Sequence, residues 1–266
     1  MIAARAREGS RSFVRAVGRR VISFLSHVGR ALLLAAQVLR AAPRIFANPR
    51  LTLDQMYETG IQSLPLVTVV AIFAGATTGW QAKYQLEGLV PIATIGTAVA
   101  KSIILELGPA LTAMVVAGRV GSSIAAELAT MRVTEQIDAL TTMSIDPIRY
   151  LILPRVTAGF VMVPMLVTLS FVIGIFGGYV TVVHAGGMAG STFLEGVRLF
   201  FFVRDVAVGL FKAFIFGGAI SFLGCYFGYV AEGGAEGVGR ASIRSFVSSA
   251  ITILIADFLV AIVAFD

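Results

Sequence analysis

Apolar residues run along this chain in five long stretches, near residues 60–80, 89–118, 151–183, 206–230 and 245–265. Each reaches the ~20 residues a helix needs to cross a bilayer. The second and third exceed that length, which predicts tilt or a projection beyond the membrane. Ahead of them, Val14, Val17, Val21, Phe24, Leu25, Val28 and Leu32 follow the helical repeat, while Arg15, Arg19, Ser26 and Arg30 gather on the other side. That pattern predicts a helix lying in the interface plane over 13–39, ended by Pro43 and Pro49. Between the second and third stretches, Ser123, Glu127, Thr130, Thr134, Asp138 and Thr141 recur at spacings of four and three and fall on one polar stripe. The other faces are mostly apolar but carry Arg132 and Glu135, too charged for hydrocarbon and too apolar to stand free in water. The pattern predicts a docked helix over about 122–143, capped by Ser122 or Ser123 and ended at Asp146–Pro147. Spacing leaves two readings of it: a connector resting on the lipid surface, or a contact surface for a partner.

Composition removes the soluble classes. Of 266 residues, 57% are hydrophobic and 14% charged, against about 25% charged in soluble domains. With a mean hydropathy of +0.89 the chain reads as an all-α integral membrane protein. Its expected parts are a basic N-terminal arm with the interfacial helix over 1–50 and a five-span domain over 51–266. The arm holds ten arginines against one acid, Glu8. Together with Arg119, Arg132, Arg149, Arg155, Arg240 and Arg244 they make sixteen of the 21 basic residues, and the positive-inside rule then places the N-terminus and the polar helix in the cytoplasm and the C-terminus outside. ALLLAAQVL resembles a short signal-peptide core, yet Arg40 follows it directly without a convincing cleavage site, so the arm is expected to be retained. The net charge of +6 does not indicate nucleic acid, because the basic residues flank apolar spans and are not interleaved with stacking aromatics.

The chemistry of enzymes is poorly represented. None of Lys83, Lys101 and Lys212 follows a glycine, so no phosphate-cradling GxxxxGK[ST] loop exists. His27 and His184 lie far apart with no HExxH or Cys/His cluster, no GxSxG elbow occurs, and Cys225 stands alone, so no metal site, catalytic residue or internal disulfide is expected. Lys101, Glu106, Lys212 and Asp257 lie within the apolar stretches and should each face a partner, a cavity or an interface. Glu106 and Lys212 admit two readings, a path for a charged headgroup or a buried ion pair fixing helix packing. Pairs of glycines four apart (Gly75/Gly79, Gly174/Gly178, Gly224/Gly228) suit close helix packing in lipid, and Pro65, Pro109 and Pro164 predict kinks.

The block ELGPALTAMVVAGRVGSSIAAELATMRVTEQIDAL, followed by DP and by Pro154–Arg155, resembles the signature of the MlaE/YrbE permeases, membrane subunits of Mce-type lipid-transporting ABC systems. The likeness is dense through this block and looser from about residue 13 to 265. It implies a permease that moves phospholipids between the inner membrane and a periplasmic Mce-domain partner, serving outer-membrane lipid asymmetry or lipid supply. It further implies a homodimer, a separate ABC ATPase that uses ATP and Mg, and a STAS-domain subunit. On this reading Glu127, Thr130, Arg132, Thr134, Glu135 and Asp138 meet the ATPase. Glu106 and Lys212 match family positions beneath the lipid cavity; Leu105 stands where some members carry arginine, so no arginine-dependent role carries over. Five glycine-rich helices leave little room for a two-chain lipid, whereas two copies can open a cavity between them. Ile72, Ala76, Leu254 and Leu259 are its expected apolar lining. The rival class is an ion-coupled secondary transporter, in which the intramembrane Lys, Glu and Asp residues form a relay.

Overall fold

The computed structural model describes residues 22, 25–43, 49–86 and 88–265; most of the basic arm and the first part of the expected interfacial helix lie outside them. The chain divides into two compact units, 1–43 and 44–266. In the first, residues 25–41 form helix α1. The second contains α2 (Pro49–Thr59), α3 (Leu64–Leu86), α4 (Thr94–Ser102), α5 (Gly108–Val116), α6 (Ser122–Val133), α7 (Gln136–Thr142), α8 (Leu153–Val180), α9 (Gly190–Leu199), α10 (Val203–Tyr229) and α11 (Gly234–Phe265). No strand occurs among the described residues.

Five segments are long and apolar enough to cross a membrane: Pro49–Leu86, Thr94–Val133, Ile148–Ala185, Val203–Tyr229 and Gly234–Ala264. They match the five apolar stretches, extended by polar turns at their ends. The expected break at Pro65 falls just before it, in a 3₁₀ turn at Ile61–Ser63 that joins α2 to α3. The second segment, α4 to α6, runs through two π-turns, Ile103–Leu107 and Ala117–Gly121, without a loop. Its 40 residues span ~60 Å at 1.5 Å per residue, about twice the hydrocarbon thickness. The expected projection beyond the membrane is this helix.

The polar segment differs from its expected form. It is two helices, α6 and α7, with the break at Thr134–Glu135, where Glu135 adopts a left-handed conformation (φ 60°). A non-glycine residue there bears roughly 1–2 kcal/mol of strain. Two contacts hold it: Ala139 N–H donates to the Glu135 carbonyl at 2.9 Å, and Arg132 reaches across the break to Asp138 at 2.6 Å. Neither Ser122 nor Ser123 caps a start, because Gly121 before them is already helical. Asp146 acts on the following segment instead: its carboxylate accepts from Ile148 N–H at 3.0 Å and pairs with Arg149 at 3.0 Å. A further element, α9, was not expected from the pattern. It packs on α4, where Thr97 donates to the Gly196 carbonyl at 2.5 Å.

At the centre α8 packs between α3 and α10, and α10 in turn carries α6 and α11. The α3–α8 contact depends on glycine: a Cβ on Gly75 would lie 1.8 Å from the Gly174 carbonyl oxygen. Backbone against backbone cannot give way as a side chain can, so Gly75→Ala is expected to lower the thermal midpoint of the purified protein by the equivalent of at least the ~1–3 kcal/mol typical of overpacking. Gly239→Ala, with open space around it, should lose nothing. Equal midpoints for the two variants would show that α3 and α8 do not approach this closely.

Candidate functional site: an intramembrane charge cluster and a polar elbow

Pro109 has no N–H to offer the carbonyl four residues back, that of Leu105. That carbonyl, inside the first π-turn, accepts instead from Lys212 Nζ at 3.1 Å. Lys212 enters from α10 with its side chain wholly buried (0% exposed). It lies 2.9 Å from Glu106 Oε2 and 2.7 Å from Asp257 Oδ1 on α11. One cation thus ties three helices. The two carboxylates are not equivalent: the Asp257 side chain is 10% exposed and that of Glu106 55%. Asp257 serves as the enclosed counter-charge, and Glu106 is the open face of the cluster. Seven residues nearer the N-terminal end of α10, Asp205 pairs with Lys101 at 3.4 Å, and the Lys101 ammonium sits 5.0 Å from the centre of the Phe202 ring. Lys101 therefore answers to Asp205, five positions before Glu106 along the same segment.

The apolar candidates lie apart within the chain. Ile72, exposed, and Ala76, half-buried, are on α3, which packs on α8 and α4. Leu254 and Leu259, both exposed, are on α11, which packs on α10 and α6. The structure brings Glu106, Lys212 and Asp257 together and does not bring the two apolar pairs together in one copy.

At the other end of the second segment, every residue of the polar stripe is exposed. The hydroxyls of Thr130, Thr134 and Thr141 donate to carbonyls of their own helices, at 2.8, 2.8 and 3.1 Å. Glu127 is occupied as well: Arg155, with its side chain 5% exposed, bonds its carboxylate at 2.6 Å and the Leu151 carbonyl at 2.8 Å. This pair fastens α6 to the start of α8. A second arginine, Arg119, donates to Gln62 Oε1 at 2.9 Å and Ser63 Oγ at 2.6 Å, tying the second π-turn to the α2–α3 junction. Beside it a cavity of about 340 Å³ opens, lined by Gln55, Glu58, Gln62, Ser123 and Glu127 among others. Sequence patterning did not pick out Gln55, Glu58, Gln62 or Arg119, because their convergence is tertiary. On α11, Ser245 donates to the Gly121 carbonyl at 3.0 Å and Ser242 to that of Ser122 at 3.2 Å, so α11 touches both the elbow's root and the charge cluster. Among the described residues no three His, Cys, Asp or Glu side chains could hold a metal ion.

An all-helical multi-pass protein, with an acid inside the membrane and a polar elbow farther along the same long helix, has the construction of a membrane permease. The family described as Permease MlaE matches residues 52–263, and the chain belongs to it. It is 41% identical to a probable ABC transporter permease protein of Rickettsia felis over 92% of this chain and 94% of that one. It is 32% identical to the intermembrane phospholipid transport system permease protein MlaE of Haemophilus influenzae over 96% and 98%. A chloroplastic protein of Arabidopsis thaliana, TRIGALACTOSYLDIACYLGLYCEROL 1, is 34% identical over 85% of this chain and 65% of its own length.

Proposed function

We propose that this chain is the non-catalytic transmembrane subunit of an ABC transporter that moves phospholipids between the bacterial inner membrane and a periplasmic Mce-domain partner. The observation that carries the reading is the single helix from Thr94 to Val133, which links the charge cluster to the exposed elbow. Motion imposed at the elbow reaches Glu106 through a continuous backbone, and the chain's lack of a P-loop assigns ATP and Mg to a separate subunit docked on that elbow. Thr130, Arg132, Thr134, Glu135 and Asp138 offer that surface; Glu127 supports it from behind through Arg155. The subunit works as a homodimer, with a STAS-domain protein on the ATPase, its N-terminus cytoplasmic and its C-terminus periplasmic. Two copies enclose the lipid between Ile72 and Ala76 of one face and Leu254 and Leu259 of another, with Glu106 bearing on the headgroup. The output is outer-membrane lipid asymmetry or lipid supply. Purification from the native membrane should recover the ATPase, the Mce protein and bound phospholipid, and the reconstituted assembly should transfer phospholipid only when ATP is hydrolysed. Transfer that survives ATP depletion and collapses with a protonophore would replace this reading with an ion-coupled one.

A further inference from the structure

Above the charge cluster, α10 and α11 part. Between them lies a cavity of about 460 Å³, lined by Arg204, Val208, Phe211, Leu259, Val260 and Val263 among others. Its volume falls within the about 300–1,000 Å³ of ligand pockets. Apart from Arg204 every one of these side chains is apolar. The groove has a direction. Arg204 stands in the first turn of α10, and Phe211 lies seven residues, ~10 Å, deeper along the helix. At the deep end the next residue is Lys212, whose contact with Asp257 closes the seam between the two helices. At the shallow end Arg204 donates to the Ala264 carbonyl in the last turn of α11, one of the carbonyls a helix end leaves unpaired. The other N–H groups of its guanidinium meet no acceptor among the described residues, and the neighbouring acid, Asp205, is turned to Lys101.

The geometry points to a phospholipid-binding site: an acyl chain lies along Phe211, Leu259 and Val263, and the lipid phosphate sits on Arg204. The site shares Leu259 with the cavity proposed between two copies and differs from it in its second wall, Val208 and Phe211 of α10. A groove on the face of membrane-spanning helices is filled by hydrocarbon or by protein, and one guanidinium fixed at the mouth of an apolar slot matches an anionic head joined to an apolar chain. A free phosphate has no use for the slot, and an apolar helix has no use for the guanidinium. The role deepens the transport reading and rests on it, since a lipid held here stands one side chain away from Lys212, at the seam it would cross to reach Glu106.

The test uses the protein with its co-purifying partners in nanodiscs of phosphatidylethanolamine and phosphatidylglycerol. Val263→p-benzoylphenylalanine should capture phospholipid on illumination several-fold more than the same probe at Val172, an exposed position on α8. Capture at 263 should fall several-fold with Arg204→Gln, fall less with Arg204→Lys, and fall again when Val260→Trp fills the slot. Equal capture at 263 and 172, insensitivity to both Arg204→Gln and Val260→Trp, or capture of a protein chain in place of lipid would overturn the site. Specific capture without ATP-dependent transfer would leave the site standing and remove the transport reading. Transfer without specific capture would do the reverse.

Discussion

Lys212→Met should destabilise the protein and abolish phospholipid transfer, the largest single effect expected in the membrane core. Methionine fills much the same volume, so the loss isolates the charge. Asp257 is left nine-tenths buried without its cation, and removing one partner of a buried pair costs about 3–5 kcal/mol. A fall of several degrees in the thermal midpoint of the purified protein would register it. The double variant Lys212→Met/Asp257→Asn separates structure from transport. Removing both charges is often neutral for stability, so the midpoint should recover. Transfer should stay several-fold down, because Glu106 loses the ammonium that holds its carboxylate in place. Full transfer by the double variant would make the cluster a packing device and exclude Glu106 from the lipid path.

Glu127→Lys should damage the subunit itself before it affects any docking. A lysine there sets an ammonium against the buried guanidinium of Arg155, which keeps only the Leu151 carbonyl. The Glu127 side chain is 44% exposed, so water screens part of the repulsion and the loss falls toward the low end of the ~3–5 kcal/mol for a broken buried pair. The expected readouts are reduced accumulation in the membrane and a lowered thermal midpoint. Arg155→Glu in the same chain reverses the pair and should restore most of both. A Glu127→Lys protein as stable as its parent would show instead that Glu127 stands free on the elbow. The probe of docking is then the reversed pair Asp138→Lys/Arg132→Asp, which keeps an ion pair across the break at Glu135 while inverting the charges the elbow presents.

The five spans were legible because apolar length is a local property, and the glycine packing because spacing of four is one too. Glu106 and Lys212 stood out because charge in hydrocarbon demands a partner. Which partner each would take was not legible. Asp257 completes the cluster from the last helix, and Asp205 takes Lys101, and both depend on how α10 sits between its neighbours. The break at Glu135 left little trace, since MRVTEQID holds no glycine, proline or asparagine to announce a left-handed residue. The capping expectation at Ser122 failed for a related reason: a cap needs a non-helical residue, and Val120 and Gly121 already continue the helix. GSTFLEGVRL makes a helix of only ten residues whose buried face is completed by α4, a contact that no local pattern announces.

The burial of Lys212 sets an order on the way the chain is made. A lysine near the middle of a membrane helix costs about 2.5–3.5 kcal/mol to insert. When α10 leaves the ribosome, Glu106 has been synthesised 106 residues earlier and Asp257 has not yet been made. Glu106 is thus the counter-ion that receives the incoming helix. Asp257 arrives with α11 to a cation already made, and its contact completes the enclosure seen in the folded chain. The residue that stays most open in the finished protein is the one that biogenesis calls on first.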